Sequence, residues 1–173
     1  MSFRHLLTIT ALVVTGLAAS GMAQGQPAEL PPPEGRPLLE VTGNIGQTNR
    51  GHVALLDRTL LETLPRHELA TSTSVTDGVK HFEGFLMRDL LEWIGAEGDT
   101  VAAMALNDYL IEIPLQDFHA YDVLVADTMD GERLTPRDKG PLWIVYPRDQ
   151  HRELQDIRYD YRWVWQLYRL EIR

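Results

Sequence analysis

The 173-residue chain contains no cysteine. That excludes disulfides, thiol nucleophiles, cysteine-ligated zinc and iron–sulfur clusters. Serine is scarce beyond the N-terminal region: only Ser72 and Ser74 remain, and neither sits in a Gly-x-Ser-x-Gly turn. His52, His67, His81, His119 and His151 lack metal-ligand spacing, and His67-Glu68 has no second histidine to complete a zincin helix. Neither a P-loop nor a Gly-x-Gly-x-x-Gly turn occurs. Lysine is reduced to Lys80 and Lys139. Past the N-terminus, no apolar run approaches the ~20 residues of a spanning helix.

The N-terminus is different. Arg4 and His5 precede an apolar stretch from Leu6 to Ala19, and Gly21-Met22-Ala23 supplies a small-residue exit. This pattern predicts a signal peptide over residues 1–23 and a periplasmic protein with no direct membrane insertion. Residues 24–37, centred on Pro31-Pro32-Pro33, read as an extended tether. Residues 38–173 then form one domain, long enough to bury a core without covalent staples. Without the leader, 15 basic residues face 25 acidic ones, a net charge of −10. Such a surface repels phosphate backbones, so nucleic acid is not expected as a partner.

Leu38–Gly43 and His52–Leu56 read as strands around a Gly- and Asn-rich loop. Asp57 is a good N-cap for a short helix bearing Leu60, Leu61 and Leu64. Glu68–Ser74 suits strand or loop. Leu86, Leu90, Leu91 and Ile94 place a helix over Phe85–Ile94, closed by Gly95. Thr100–Leu106 and Leu110–Ile113 flank a turn at Asn107-Asp108. Tyr121–Asp127 and Glu132–Thr135 pair about Asp130-Gly131, a hairpin signal. Leu142–Tyr146 is wholly apolar and reads as a buried strand. Arg162–Arg173 alternates and is expected as one closing strand, with Val164, Tyr168, Leu170 and Ile172 inward and Trp163, Trp165 and Leu167 opposite. The sum is an α+β domain of mixed sheets with short helices.

Three segments carry a resemblance. Phe82-Glu83-Gly84-Phe85-Leu86-Met87-Arg88-Asp89-Leu90-Leu91, Ala105–Tyr109 with Ile113-Pro114-Leu115, and Gly140-Pro141-Leu142-Trp143-Ile144-Val145-Tyr146-Pro147 resemble, in this order, segments of the sulfite-oxidase molybdopterin fold. In that family a cysteine thiolate before the aromatic-x-Gly ligates molybdenum; here the region reads Thr71-Ser72-Thr73-Ser74. The basic segment that grips the cofactor phosphate is replaced by Tyr159–Trp165. Read this way, the chain is similar to periplasmic pterin-binding proteins that regulate membrane cyclic-di-GMP enzymes. The resemblance then implies a non-catalytic sensor, not an enzyme, with no tightly required cofactor, a small pterin as ligand, no metal, and the periplasmic domain of a membrane signalling protein as partner. The alternative is an atypical molybdopterin-dependent oxidoreductase lacking the cysteine ligand; a third reading is a structural domain with an empty pocket.

A pterin needs a stacking face, a carboxylate for its N–H edge and a donor for its carbonyl. Trp163 and Trp165 are the expected stacking face; packing against a second layer is the alternative. Asp108, beside Tyr109 in the turn, is the expected carboxylate, with Asp77 in reserve; ordinary turn chemistry is the alternative for both. Arg162 is the expected donor, with Arg137 and Lys139 behind it; a surface salt bridge is the alternative for each. Thr73, in the hydroxyl run, and Asn49, in the Gly-rich loop, complete the candidate ligand-binding set; a solvated strand and loop capping are the respective alternatives.

Overall fold

The computed structural model describes residues 29–173; the expected leader and residues 24–28 lie outside the described residues. Two sheets carry the fold. In the first, β1 (Leu39–Gly43) lies between β2 (Ala54–Leu56) and β10 (Leu167–Ile172), followed by β5 (Thr100–Ala105) and β6 (Leu110–Pro114). β10 runs parallel to β1 and antiparallel to β5. The second orders β3 (His67–Ser72), β4 (Val79–Leu86), β7 (Leu124–Met129) and β8 (Glu132–Arg133), with β9 (Trp143–Val145) also on β7. Four short helices, α1 (Arg58–Leu61), α2 (Met87–Trp93), α3 (Leu115–Ala120) and α4 (Ile157–Asp160), complete an α+β domain.

Local chemistry accounts for several elements. Leu39 and Val41 point inward from β1, while Glu40 and Thr42 stay partly exposed. The β7–β8 hairpin turns through Asp130 at φ 51° and Gly131 at φ 79°, the paired positive angles of a type I′ turn. Gly84 sits at a register shift between β4 and β7, where a Cβ would lie 2.0 Å from the Val125 carbonyl oxygen. The glycine of the Phe-Glu-Gly-Phe segment is thus required by close strand approach.

Three expectations change. The helix expected from Phe85 begins at Met87, because Phe85 and Leu86 pair with Val125 and Leu124 at the end of β4. Tertiary pairing overrides the helical spacing there. The described part of the Pro-rich stretch, residues 29–37, forms no helix or strand but is docked on the domain. Leu30 is buried and donates its N–H to the Thr48 carbonyl at 3.0 Å. Asn49 bonds Pro31 and both backbone groups of Leu55, covering the edge of β2. Finally, Arg162–Arg173 is not one strand. Trp163–Gln166 belong to no strand, and the ladder with β5 starts only at Leu167. Gln166 adopts φ 54° and resets the phase, so β10 begins at Leu167, which is buried although expected on the outer face, while Tyr168, expected inward, is half-buried.

Asp57 caps α1 through Leu60 N–H at 3.0 Å and also accepts Gly35 N–H at 2.6 Å. Its burial alone would raise the carboxyl pKa, but these backbone donors outweigh burial and hold it below the ordinary value. Asp57→Ala should therefore cost about 1–2 kcal/mol in urea unfolding at neutral pH. Because the folded pKa is depressed, this advantage is fully present above the unfolded value of 3.8 and is lost as pH falls through the folded one. A stability difference that does not shrink in acid would refute the assignment.

Candidate functional site

A cleft of about 350 Å³ opens where the two sheets meet. Ser74 and Val75, just past β3, form one wall. Ala105, Asn107 and Tyr109, on the β5–β6 turn, form the second. Ile157, Asp160 and Tyr161 supply the third from α4, and Trp163 and Trp165 close it. Trp163 is buried and packed by Tyr146, tilted at 6.3 Å, and by Trp143, edge-on at 6.4 Å. Trp143 in turn meets Phe82 edge-on at 5.3 Å. This aromatic column holds Trp163 rigidly against the cleft. Tyr109 donates to the Tyr161 carbonyl at 2.7 Å, tying the turn to the end of α4. Burial and the nearby Tyr161 raise its phenol pKa, so it stays a neutral donor.

Two residues of the cleft wall, and one outside its lining, carry buried polar atoms without partners. Trp163 Nε1, Asp160 Oδ1 and Arg148 Nε have no hydrogen-bond partner among the described residues. Arg148 Nε lies 4.0 Å from Asp160 Oδ1, too far for a hydrogen bond. Such groups cost roughly 1–3 kcal/mol each and call for a ligand or solvent to satisfy them.

The sequence-derived candidates divide. Trp163, Trp165 and Tyr109 come together in the cleft wall. Asp108 does not join them: it is exposed, at φ 65°, and donates its N–H to the Ala105 carbonyl as a turn residue. The carboxylate in the wall is Asp160. Arg162 is committed to Asp117, which also accepts Tyr146 Oη–H at 2.8 Å, and lies over the Tyr159 ring at 4.6 Å. Thr73 accepts Val75 N–H and shares a hydrogen bond with Thr76, so it shapes the loop, and Ser74 lines the cleft instead. Ser72 and Thr71 are pinned by Asp149, whose carboxylate takes Ser72 N–H and Oγ–H at 2.6 Å each. Those bonds, the Ser72 hydroxyl first, hold Asp149 below the usual carboxylate range. Asn49 lies on the β2 edge, outside the cleft lining. Asp77, Arg137 and Lys139 are also outside it, Lys139 resting over Trp143. Sequence reasoning missed Asp160, Arg148 and Asn107. Asp156 was the available signal: its carboxylate caps α4 through Arg158 N–H at 2.9 Å, and a cap there places Asp160 at the helix end.

On the other side of α4, Arg152, Arg158 and Arg162 line an open cavity of about 500 Å³. Arg158 is engaged by Asp156 there. No cation lines the aromatic cleft itself.

With this geometry in place, relatives can be identified. The family model "Oxidoreductase molybdopterin binding domain" matches residues 62–150. The fold is similar to that of the sulfane dehydrogenase SoxCD from Paracoccus pantotrophus, with 17% identity and a TM-score of 0.58 over 78% of this chain. The match covers 37% of that chain, so this protein spans well under half of its neighbour. No curated protein matches the sequence. The expected sulfite-oxidase-like fold is shown by these matches. They overturn two other expectations. A family of oxidoreductase cofactor domains does not support the reading "not an enzyme". Nor does it support a bare pterin with no required cofactor: the group that the family points to is a molybdopterin cofactor.

The cleft fits the organic half of that cofactor. Two tryptophans and two tyrosines line it beside apolar Val75, Ala105 and Ile157, and the Trp163 indole N–H and one Asp160 carboxylate oxygen are left without partners. The metal half finds no sulfur, since the chain has no cysteine and the cleft wall offers only the Ser74 hydroxyl, the Asn107 amide, the Asp160 carboxylate and phenols. The residues therefore fit a pterin ring and do not supply a thiolate.

Asp117 holds Arg162 and Tyr146 together behind the cleft, and burial, with Asp117 beside it, keeps the Tyr146 phenol well above its usual pKa. Asp117→Asn removes the charge and leaves Arg162 half-buried without its counter-ion. A loss of about 2–3 kcal/mol in urea unfolding is expected, with a shift in tryptophan fluorescence as the neighbouring Trp163 relaxes. An unchanged unfolding midpoint would show that the network does not support the cleft.

Proposed function

The chain belongs to the oxidoreductase molybdopterin-binding domain family, and from that premise we propose that it is the cofactor domain of an atypical molybdopterin-dependent oxidoreductase. The observation that carries the reading is the aromatic cleft with its unpartnered Trp163 N–H and Asp160 oxygen, built at the junction of the two sheets. Trp165 and Trp163 offer the stacking surface. Asp160 accepts from the amino edge of the ring, and the Trp163 indole donates. Tyr109, bound to the Tyr161 carbonyl, holds the entrance in shape. When bound, the group supplies two-electron redox chemistry at its metal. The chain's contribution is to bind and orient the ring and to keep water from one face of it.

We further propose that the domain works in the periplasm, on the strength of its N-terminal leader pattern. A membrane signalling partner was the other expectation from the sequence. It rests on the resemblance alone, and the oxidoreductase reading is the one the family favours.

The test is cofactor content. Protein purified from its own host should carry molybdenum by elemental analysis and a fluorescent oxidised pterin, each near one per chain. Trp165→Ala, a half-buried position, should keep the fold and lose pterin by roughly 5–150-fold, as expected for ~1–3 kcal/mol of stacking. Pterin without molybdenum would remove the oxidoreductase reading, and full pterin content in the Trp165 variant would remove the cleft.

A further inference from the structure

A third cavity, of about 720 Å³, lies away from the aromatic cleft, between the β1–β2 edge and the loop that follows β8. Its floor is apolar. Leu39 and Leu134 are buried beneath it, Leu38, Leu55 and Tyr168 are half-buried, and Leu106 is 49% exposed. Four arginines stand around this floor: Arg36, Arg50, Arg58 and Arg133.

Three of the four are unpaired. Arg133 is held by Glu62 at 3.0 Å. Arg36, Arg50 and Arg58 have no carboxylate within 4.0 Å among the described residues, and residues 1–28 contain no acid. The one acidic residue in the lining, Glu40, is taken by Arg169 at 3.1 Å. On a chain with a net charge of −9, this groove is a local reversal of sign. Elsewhere most arginines are matched, as Arg66 is by Asp127, Arg88 by Asp122 and Arg173 by Glu112. Unpaired guanidinium forks over an apolar floor are suited to carboxylates carried on an apolar backbone.

We propose that this groove is the docking site for an extended acidic segment of a partner protein, in which leucine-like residues alternate with carboxylates. An extended chain sends alternate side chains to opposite sides. One set would settle on Leu38, Leu55 and Leu106, and the other would meet Arg36, Arg50 and Arg58 at the rim. A short peptide feels only this local field, whereas a large polyanion or an anionic membrane meets the acidic surface beyond it. The groove also touches the functional cleft through one element: Leu106 lines the groove, and its neighbours Ala105 and Asn107 line the cleft. The docking proposal stands on the groove alone and does not depend on the cofactor reading.

The experiment uses the full chain and a fluorescein-labelled peptide of roughly nine residues alternating Glu and Leu. Fluorescence anisotropy should give saturable binding that weakens as salt is raised. The Gln/Leu version of the peptide should bind about tenfold more weakly or worse. Arg36→Glu combined with Arg50→Glu, both exposed positions, should cost at least about tenfold in affinity while the circular dichroism spectrum stays unchanged. Equal binding to the doubly reversed variant would overturn the proposal. So would full competition by inorganic phosphate, which would mark a simple anion site. Sedimentation of the wild type with phosphatidylglycerol vesicles in the absence of peptide binding would assign the arginines to a lipid surface and overturn it as well.

Discussion

The irregular segment from Trp163 to Gln166 is the joint on which the molecule depends. On one side, the Val164 carbonyl accepts Ile144 N–H at 3.0 Å, and Leu167 donates to Leu142 at 2.9 Å, which fixes the segment to the β9 region. On the other, the Gln166 carbonyl accepts Leu106 N–H at 3.0 Å, which fixes it to the β5–β6 turn. Trp163 adds the packing term by inserting between Tyr146 and Trp143. Backbone hydrogen bonds at this segment thus add to the shared apolar core that the two sheets already bury between them. The cleft lies there because at this joint the backbone leaves the sheets and brings Trp163 and Trp165 to its wall.

Much of the frame was legible because it rests on local rules. Asp57 as a cap, Asp130-Gly131 as a type I′ turn and the all-apolar Leu142–Tyr146 each declare their conformation within a few residues. The parts that were not legible come from non-local constraints. Phe85 and Leu86 have helical spacing, yet pairing with β7 draws them into a strand. The alternation of Arg162–Arg173 looks unbroken until Gln166 takes a left-handed angle, held there by side-chain bonds to the Pro136 and Asp138 carbonyls. Nothing within a short window of sequence signals those partners.

The site shows the same division. Trp163, Trp165 and Tyr109 were recognisable by residue type and lie together. Asp108 was chosen for its turn position, and that position is what consumes it. Asp160 sits at the cleft only because α4 makes a single capped turn, and its relation to Arg148 is set by a loop twelve residues earlier. A carboxylate–guanidinium pair held just beyond bonding distance is a tertiary product that spacing cannot express.

The placement of β10 has a consequence for how the chain is made. It is the middle strand of its sheet, between β1 and β5, yet it is formed by residues 167–172. A nascent chain that has not yet reached residue 167 has a gap through the centre of that sheet, and its earliest strand waits for the latest one. Pairing across that separation is slow to nucleate. The first sheet therefore closes only once residues 167–172 are available to pair with β1 on one side and β5 on the other.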